Sequence, residues 1–489
     1  MYKEGILTIS DWQKGQALSP FLGFATMRNC EVFDNPGIVK ISKQTQKNTV
    51  ISATALPIAR VVASTGDVYV LTMGTSGGVS PVLRKNDTVV TSITGGTFAY
   101  DMVEYSGYII ISYTGGLFTY QMSTGRITQV FKTGLTSSYW IDLLIGQDNV
   151  LYIGNGNNVA TITNFVAGTS TTDPTGTLNS SALDLPDGQY VVCLAELGRN
   201  LLVGTQGGTS WSQRGALRVA NIYPWDRVSA SFSLPVQIQE NGVHAMISVN
   251  NITYVCAGTA GNIYVTDGTS YRKIGRIPWS EDRNISNSVG YYPNAITTNV
   301  NNNLLIGVSL YSGEADQLGV YEMSLAEGYP IVLKQIISTG NYNTNIQIGF
   351  VTTSSNGVTN IGWQDDAVFG IDYTLFNAYV GYKAVIESPL YSVGTSTNKK
   401  TFQHGEFILS KPLTYQHQIR ISYRKDTESD YVVIGTYTFS DLGSKRSHLF
   451  TPHIADAENV QIKIELDQNE YTSPNPTNWD LELMSISLW

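Results

Sequence analysis

Hydrophobic residues in this chain fall into short runs separated by tight polar turns. A typical unit is one apolar run, a turn, a second run rich in β-branched and aromatic residues, and then a glycine-rich turn. The first copy reads Ala59-Arg60-Val61-Val62-Ala63, Gly66-Asp67, Val68-Tyr69-Val70-Leu71. The second reads Asp101-Met102-Val103-Glu104-Tyr105, Ser106-Gly107, Tyr108-Ile109-Ile110-Ile111. The third reads Trp140-Ile141-Asp142-Leu143-Leu144, Asp148-Asn149, Val150-Leu151-Tyr152-Ile153-Gly154. Further copies lie over residues 190–204, 243–255, 295–307 and 348–362, and the turn markers Gly66, Gly107, Asp148, Arg199, Asn250, Asn302 and Asn356 recur every 41 to 54 residues. That period, with several short strands per unit, is the period of a propeller blade. A single four-stranded sheet cannot cover both of its faces, whereas sheets stacked about a common axis cover one another. The paired runs predict a hairpin in each blade, and a third strand follows at Leu117-Phe118-Thr119-Tyr120 and Asn262-Ile263-Tyr264-Val265.

No window sustains helical apolar spacing, and only residues 324–327 read as a single helical turn. The predicted fold class is therefore all-β: a β-propeller of about seven blades over residues 46–382, with a sandwich or solenoid of accidental period as the alternative. From residue 383 onward charge becomes denser and strict alternation appears, as in Gln418-Ile419-Arg420-Ile421-Ser422-Tyr423-Arg424 and Val460-Gln461-Ile462-Lys463-Ile464-Glu465-Leu466. Alternation with polar outer positions predicts an antiparallel sheet with one wet face, and residues 383–489 read as a C-terminal β-sandwich. Residues 1–45 do not match the repeat. They read as an N-terminal strap in which Ile6-Leu7-Thr8-Ile9 is a strand that pairs with the last blade and closes the ring.

Composition sharpens this picture. Only 14% of residues are charged, against 46 glycines and 29 tyrosines. Low charge with abundant Ser, Thr and Asn suits a subunit packed against neighbours, because interface cores disfavour charge. The net charge of −9, with no long basic stretch, argues against stable nucleic-acid binding. A polyanion can still slide past such a surface, so transient DNA passage without specific binding is compatible with it. Cys30, Cys193 and Cys256 are widely spaced and odd in number, which indicates neither a disulfide framework nor a zinc ribbon. There is no signal-peptide pattern at the N-terminus and no 18-residue apolar run, so synthesis in a cytoplasm and no membrane span are expected.

Several short motifs at the two ends carry a resemblance. Asp11-Trp12-Gln13-Lys14-Gly15, Leu22-Gly23-Phe24, Met27-Arg28-Asn29 and Asn35-Pro36-Gly37 open the chain; Glu387-Ser388-Pro389, Lys399-Lys400 and Thr472-Ser473-Pro474 lie near its end. This arrangement resembles propeller-containing virion proteins of tailed bacteriophages. The resemblance implies a structural component of the tail or head-to-tail connector, nozzle-like, assembling as a homo-oligomeric ring against other virion structural proteins. It implies localisation to the virion tail after synthesis in the host cytoplasm. It transfers no functional residue, because such roles reside in surfaces.

Chemistry is sparse. Glycosidase propellers need paired carboxylates, and the adjacent Asp365-Asp366 would point to opposite faces of a strand. His448 and His453 have one nearby carboxylate, Asp456, and no further ligand at a recognisable spacing. Gly74-Thr75-Ser76-Gly77-Gly78 has the letters of a nucleophile elbow without the helix that must follow. No catalytic, metal or cofactor site is predicted. Trp211, Trp225 and Trp279 fall in inter-strand segments, where aromatics stack on sugars, anchor interfaces or cap blade edges. A receptor- or glycan-binding fibre or spike module is thus the alternative function, and a propeller glycosidase is a third reading.

Overall fold

A computed structural model describes residues 2–3, 6–16, 23–43, 45–48, 53–136, 140–207, 220–277, 289–310, 319–335, 346–374, 383–395, 397–468 and 481–489. Among the described residues six four-stranded antiparallel sheets and, before the last of them, a set of antiparallel strands that belongs to an eleven-stranded sheet follow one another along the chain as blades I to VII. Their innermost strands are Pro57–Val62, Ala99–Tyr105, Leu143–Ile145, Gln189–Leu197, Val243–Val249, Ile296–Thr298 and Ile346–Thr353. Each inner strand lies against that of the next blade, and the inner strand of blade VII lies against that of blade I. The ring is therefore closed, and the predicted all-β propeller with a C-terminal sandwich is the observed architecture.

The turn markers explain why the hairpins form. At or beside the markers, Gly66, Gly107, Asn149, Gly198, Asn250, Asn302 and Gly357 have φ between +51° and +85°, the left-handed backbone that the two-residue turns at Gly107, Gly198 and Asn250 require and that the longer hairpin loops use at the others. The glycine inside several second strands has a different cause. A Cβ on Gly204 would lie 2.7 Å from Val243 Cγ1, and one on Gly307 would lie 2.4 Å from Ile348 Cγ2. These glycines let the next blade's inner strand approach closely. The seam between blades VII and I is tighter still, since a Cβ on Gly349 would sit 2.1 Å from the Pro57 carbonyl oxygen.

The ends of the chain are arranged differently from the sequence expectation. Ile6–Ile9 does not close the ring. It pairs with the C-terminal strand Glu482–Leu488, Leu7 opposite Leu488, and its alternate residues Leu7 and Ile9 are buried in the sandwich core. The ring is closed by Thr45–Lys47, the fourth strand of blade VII, which pairs with Val368–Thr374. The expected boundary at residue 45 thus falls inside the closing strand, and residues 7–41 furnish core to the sandwich: Trp12, Phe24, Met27, Cys30, Val39 and Ile41. Thr26–Arg28 has a further role. It pairs antiparallel with Ala384–Glu387 of the sandwich and parallel with the outer strand Ile331–Gln335 of blade VI. One hydrogen-bonded sheet therefore runs from blade VI into the sandwich.

Residues 324–327 form no helical turn; the chain turns over 326–329, where the Tyr329 N–H donates to the Ala326 carbonyl. The α-helical turn among the described residues is Phe439–Leu442, capped reciprocally by Thr438 and Asp441.

Gly349→Ala is expected to lower stability by roughly 2 kcal/mol or more, because the new methyl meets backbone rather than a movable side chain. Gly275→Ala, where a Cβ meets nothing within 4 Å, should stay within about 0.5 kcal/mol of the parent. Urea unfolding of the two variants checks the difference, and equal effects would contradict the tight seam.

Candidate functional site

The inner strands of all seven blades enclose a cavity of about 270 Å³ on the propeller axis. Its polar lining comes from Arg60, Asp101, Asp142, Asn294, Thr297 and Thr352, and its walls include Leu143, Leu194, Met246, Phe350 and Val351. Beside these strands Trp140 meets Tyr100 edge-on and Tyr292 at a tilt, with centroids 5.5 and 5.7 Å apart. Asn294, in the 3-10 turn Pro293–Ala295 that leads into blade VI, reaches to the far side. Its Nδ2 donates to the Ile58 carbonyl of blade I at 3.1 Å and to Asp101 Oδ1 of blade II at 2.8 Å.

Asp101 and Asp142 occupy equivalent places in neighbouring blades and act alike. Asp101 Oδ2 accepts the Leu143 N–H of the next inner strand at 2.9 Å. Asp142 Oδ2 accepts the Leu194 N–H of the strand after that at 2.7 Å. The two carboxylates thus clasp blade II to III and III to IV. Ser112 adds a hydroxyl donor to the Ile141 carbonyl at 2.6 Å, and Arg60 links blade I to Thr352 of blade VII at 3.3 Å.

Burial dominates the electrostatics. Asp101 is 4% exposed and Asp142 is 6% exposed. Desolvation pushes the Asp101 carboxyl up to about 6 against the donors from Asn294, Leu143 and Met102. Burial, aided by the Asp101 charge, lifts Asp142 well above the usual carboxylate range. Burial and their mutual repulsion therefore both favour the protonated form of each carboxyl. The chemistry available is proton holding and hydrogen bonding. All three of Asp101's donors are protein groups, so its lone pairs serve the fold.

The residues singled out by sequence stand elsewhere. Trp225 ends a strand of blade IV and is 3% exposed. Its indole donates to the Ser229 carbonyl at 2.7 Å and meets Tyr152 edge-on at 6.0 Å, so it belongs to the blade interior instead of an exposed loop. Trp211 and Trp279 lie outside the described residues. Asp365 is buried at a strand end, while Asp366 turns the chain with φ +51°. His448 packs on Tyr437 at 4.8 Å. No group of three or more potential metal ligands occurs among the described residues. The three cysteines are free and buried.

Asp101 and Asp142 were missed by the search for catalytic spacing. A signal for them existed: each is a carboxylate inside the first apolar run of its repeat, where neighbouring copies carry Val191-Val192-Cys193 or Val243-His244-Ala245.

No family model matches the chain, and no curated protein matches it. Among solved structures it is similar to the extracellular domain of the hybrid two component system BT4673 from B. thetaiotaomicron, with 14% identity, a TM-score of 0.47, and 85% of this chain covered. It spans about half of that longer chain, 48%. It is also similar to the RRP9 WD40 repeats, with 11% identity and a TM-score of 0.46 over 68% of this chain and 99% of that one. An exo-beta-1,3-galactanase from Phanerochaete chrysosporium aligns over 92% of this chain and 100% of its own, with 9% identity and a TM-score of 0.31.

The raised carboxyls fix the sign of a pH effect. Between about pH 4 and 6 the unfolded chain releases protons that the folded pair still holds, so stability falls as pH rises through that window. Asp142→Asn keeps an oxygen for the Leu194 N–H and cannot ionise. It should stabilise the protein by roughly 1–2 kcal/mol at pH 7.5, an advantage that shrinks towards pH 4. Asp101→Asn sets an amide donor among existing donors and should cost about 1–3 kcal/mol. Denaturant unfolding at pH 7.5 and 4.5 tests both signs.

Proposed function

We propose that this chain is a structural virion protein of a tailed bacteriophage, a nozzle-like tail or head-to-tail component that assembles as a ring with other virion subunits. The observation that carries the reading is where the end motifs lie. Trp12 is fully buried in the sandwich core, its indole donating to the Met484 carbonyl at 2.8 Å. Met27-Arg28 lies in the strand joining blade VI to the sandwich. Of the motifs that carry the resemblance, Met27-Arg28 and Glu387 therefore lie in the sheet that joins propeller and sandwich, a placement that suits a scaffold subunit, while Thr472-Ser473-Pro474 lies outside the described residues.

Two further facts favour a structural role over catalysis. The paired carboxylates of the axis are committed to backbone amides of adjacent blades. The axial cavity, spanned by Asn294, is far too small for a duplex, so any DNA would pass through the centre of a ring of subunits and not through a propeller. The burial of Trp225 removes one of the contacts on which a glycan-binding reading relied.

Mass spectrometry of purified particles should detect the protein at a fixed stoichiometry, and electron microscopy of the recombinant chain should show rings. A particle preparation that lacks the protein ends this reading.

A further inference from the structure

The axial cavity holds charges that do not pair with one another. Arg60 is the one cation among its described lining residues, and Asp101 and Asp142 are its acids. The guanidinium makes one hydrogen bond to protein, the 3.3 Å contact with the Thr352 hydroxyl. No ion pair joins it to a carboxylate among the described residues. The Asp87 charge acts on it through space, against the desolvation that lowers its pKa. A guanidinium carries five N–H donors and stays charged at every pH a protein tolerates. Most of these donors are therefore left for something other than protein. Burial shows on which side of the cavity they stand. Arg60, Thr297 and Thr352 are half-buried, whereas Asp101 and Asp142 are buried. The cation and the two hydroxyls thus line the mouth. The acids lie deeper, tied to the Leu143 and Leu194 N–H groups and to Asn294.

We propose that this mouth binds a small oxyanion, held by the Arg60 guanidinium, with the Thr352 and Thr297 hydroxyls lining the same opening. The planar fork of a guanidinium matches two oxygens of a carboxylate, sulfate or phosphate. A cavity of about 270 Å³ has room for such an ion and for water beside it, since a water takes about 30 Å³. Met246, Phe350 and Val351 on the walls keep the surroundings apolar, which strengthens the attraction. The negative groups near the mouth set a pH dependence. Asp87 acts on Arg60, and Asp101 and Asp142 oppose an anion whenever they are ionised. The Cys193 thiol, raised far above its ordinary value by burial, stays neutral. Burial lifts Asp101 to about 6 and Asp142 higher. Asp101 therefore loses its charge as pH falls through about 6, and the oxyanion binds more tightly on the acid side. The proposal concerns the isolated chain and stands independently of the virion reading.

Calorimetric titration of the full chain at constant ionic strength, with sodium sulfate in one arm and sodium acetate in the other, should show saturable binding with a Kd on the order of millimolar. The stronger arm tells a tetrahedral ion from a carboxylate. Sulfate, whose charge is constant over the range, should bind more tightly at about pH 5.5 than at about pH 8. Arg60→Gln should weaken binding roughly tenfold or more. Thr352→Val should weaken it less, and it carries the test if melting shows that Arg60→Gln does not fold. Arg446→Gln, at an exposed position of the sandwich, should bind as the parent does. Absence of saturable binding in both arms, a folded Arg60→Gln or a Thr352→Val chain that binds undiminished, or a sulfate affinity equal at the two pH values would each overturn the proposal, whether or not the protein is found in particles.

Discussion

Everything in this fold hangs on backbone hydrogen bonds made by a few N-terminal residues. Blade VI and the sandwich would each end in a bare strand edge, and an unpaired edge is a liability. Thr26–Arg28 fills the gap between Ile331–Gln335 and Ala384–Glu387, so the two edges become one sheet. Thr45–Lys47 completes blade VII. Met27, fully buried between the two bodies, and Val332 of blade VI belong to the sandwich core. A propeller and a sandwich with separate cores are thereby bound by main-chain pairing as well as by side-chain contact.

The second constraint is radial. Seven inner strands converge on a narrow axis where space is short and water scarce. Small residues relieve the crowding at Gly204, Gly307 and Gly349, and polar side chains satisfy inner-strand amides that face the axis, as Asp101 and Asp142 do. The cost is electrostatic, because two carboxyls desolvated side by side oppose each other's ionisation. The fold accepts that cost in exchange for fixing three consecutive blades.

Much of this was legible in the sequence. The blades were, because each repeats the same local instructions: an apolar run, a residue tolerant of positive φ, and another run. Asn250 and Asn302 marked real turns. Ring closure was not legible, because alternation shows that a segment is a strand without naming its partner. Ile6–Ile9 has a clear pattern and pairs in the sandwich, while Thr45-Gln46-Lys47, too short and polar to show a period, closes the propeller. The axial pair was hidden for another reason. A search for catalytic spacing looks for residues near in sequence, and Asp101 and Asp142 meet only because equivalent positions of successive blades converge. Trp225 misled because a flanking proline and aspartate suggest a loop, whereas Tyr152 and the Ser229 carbonyl enclose it.

The placement of Leu7 opposite Leu488 and Thr26 opposite Glu387 also sets a timetable for biosynthesis. These N-terminal strands are translated hundreds of residues before the strands they pair with. At ordinary elongation rates Trp12, Phe24 and Met27 wait unburied for tens of seconds while every blade is translated ahead of their partners. Until Glu482–Leu488 is made the nascent polypeptide thus exposes these apolar side chains, and its yield in a cell depends on what shields them in the meantime.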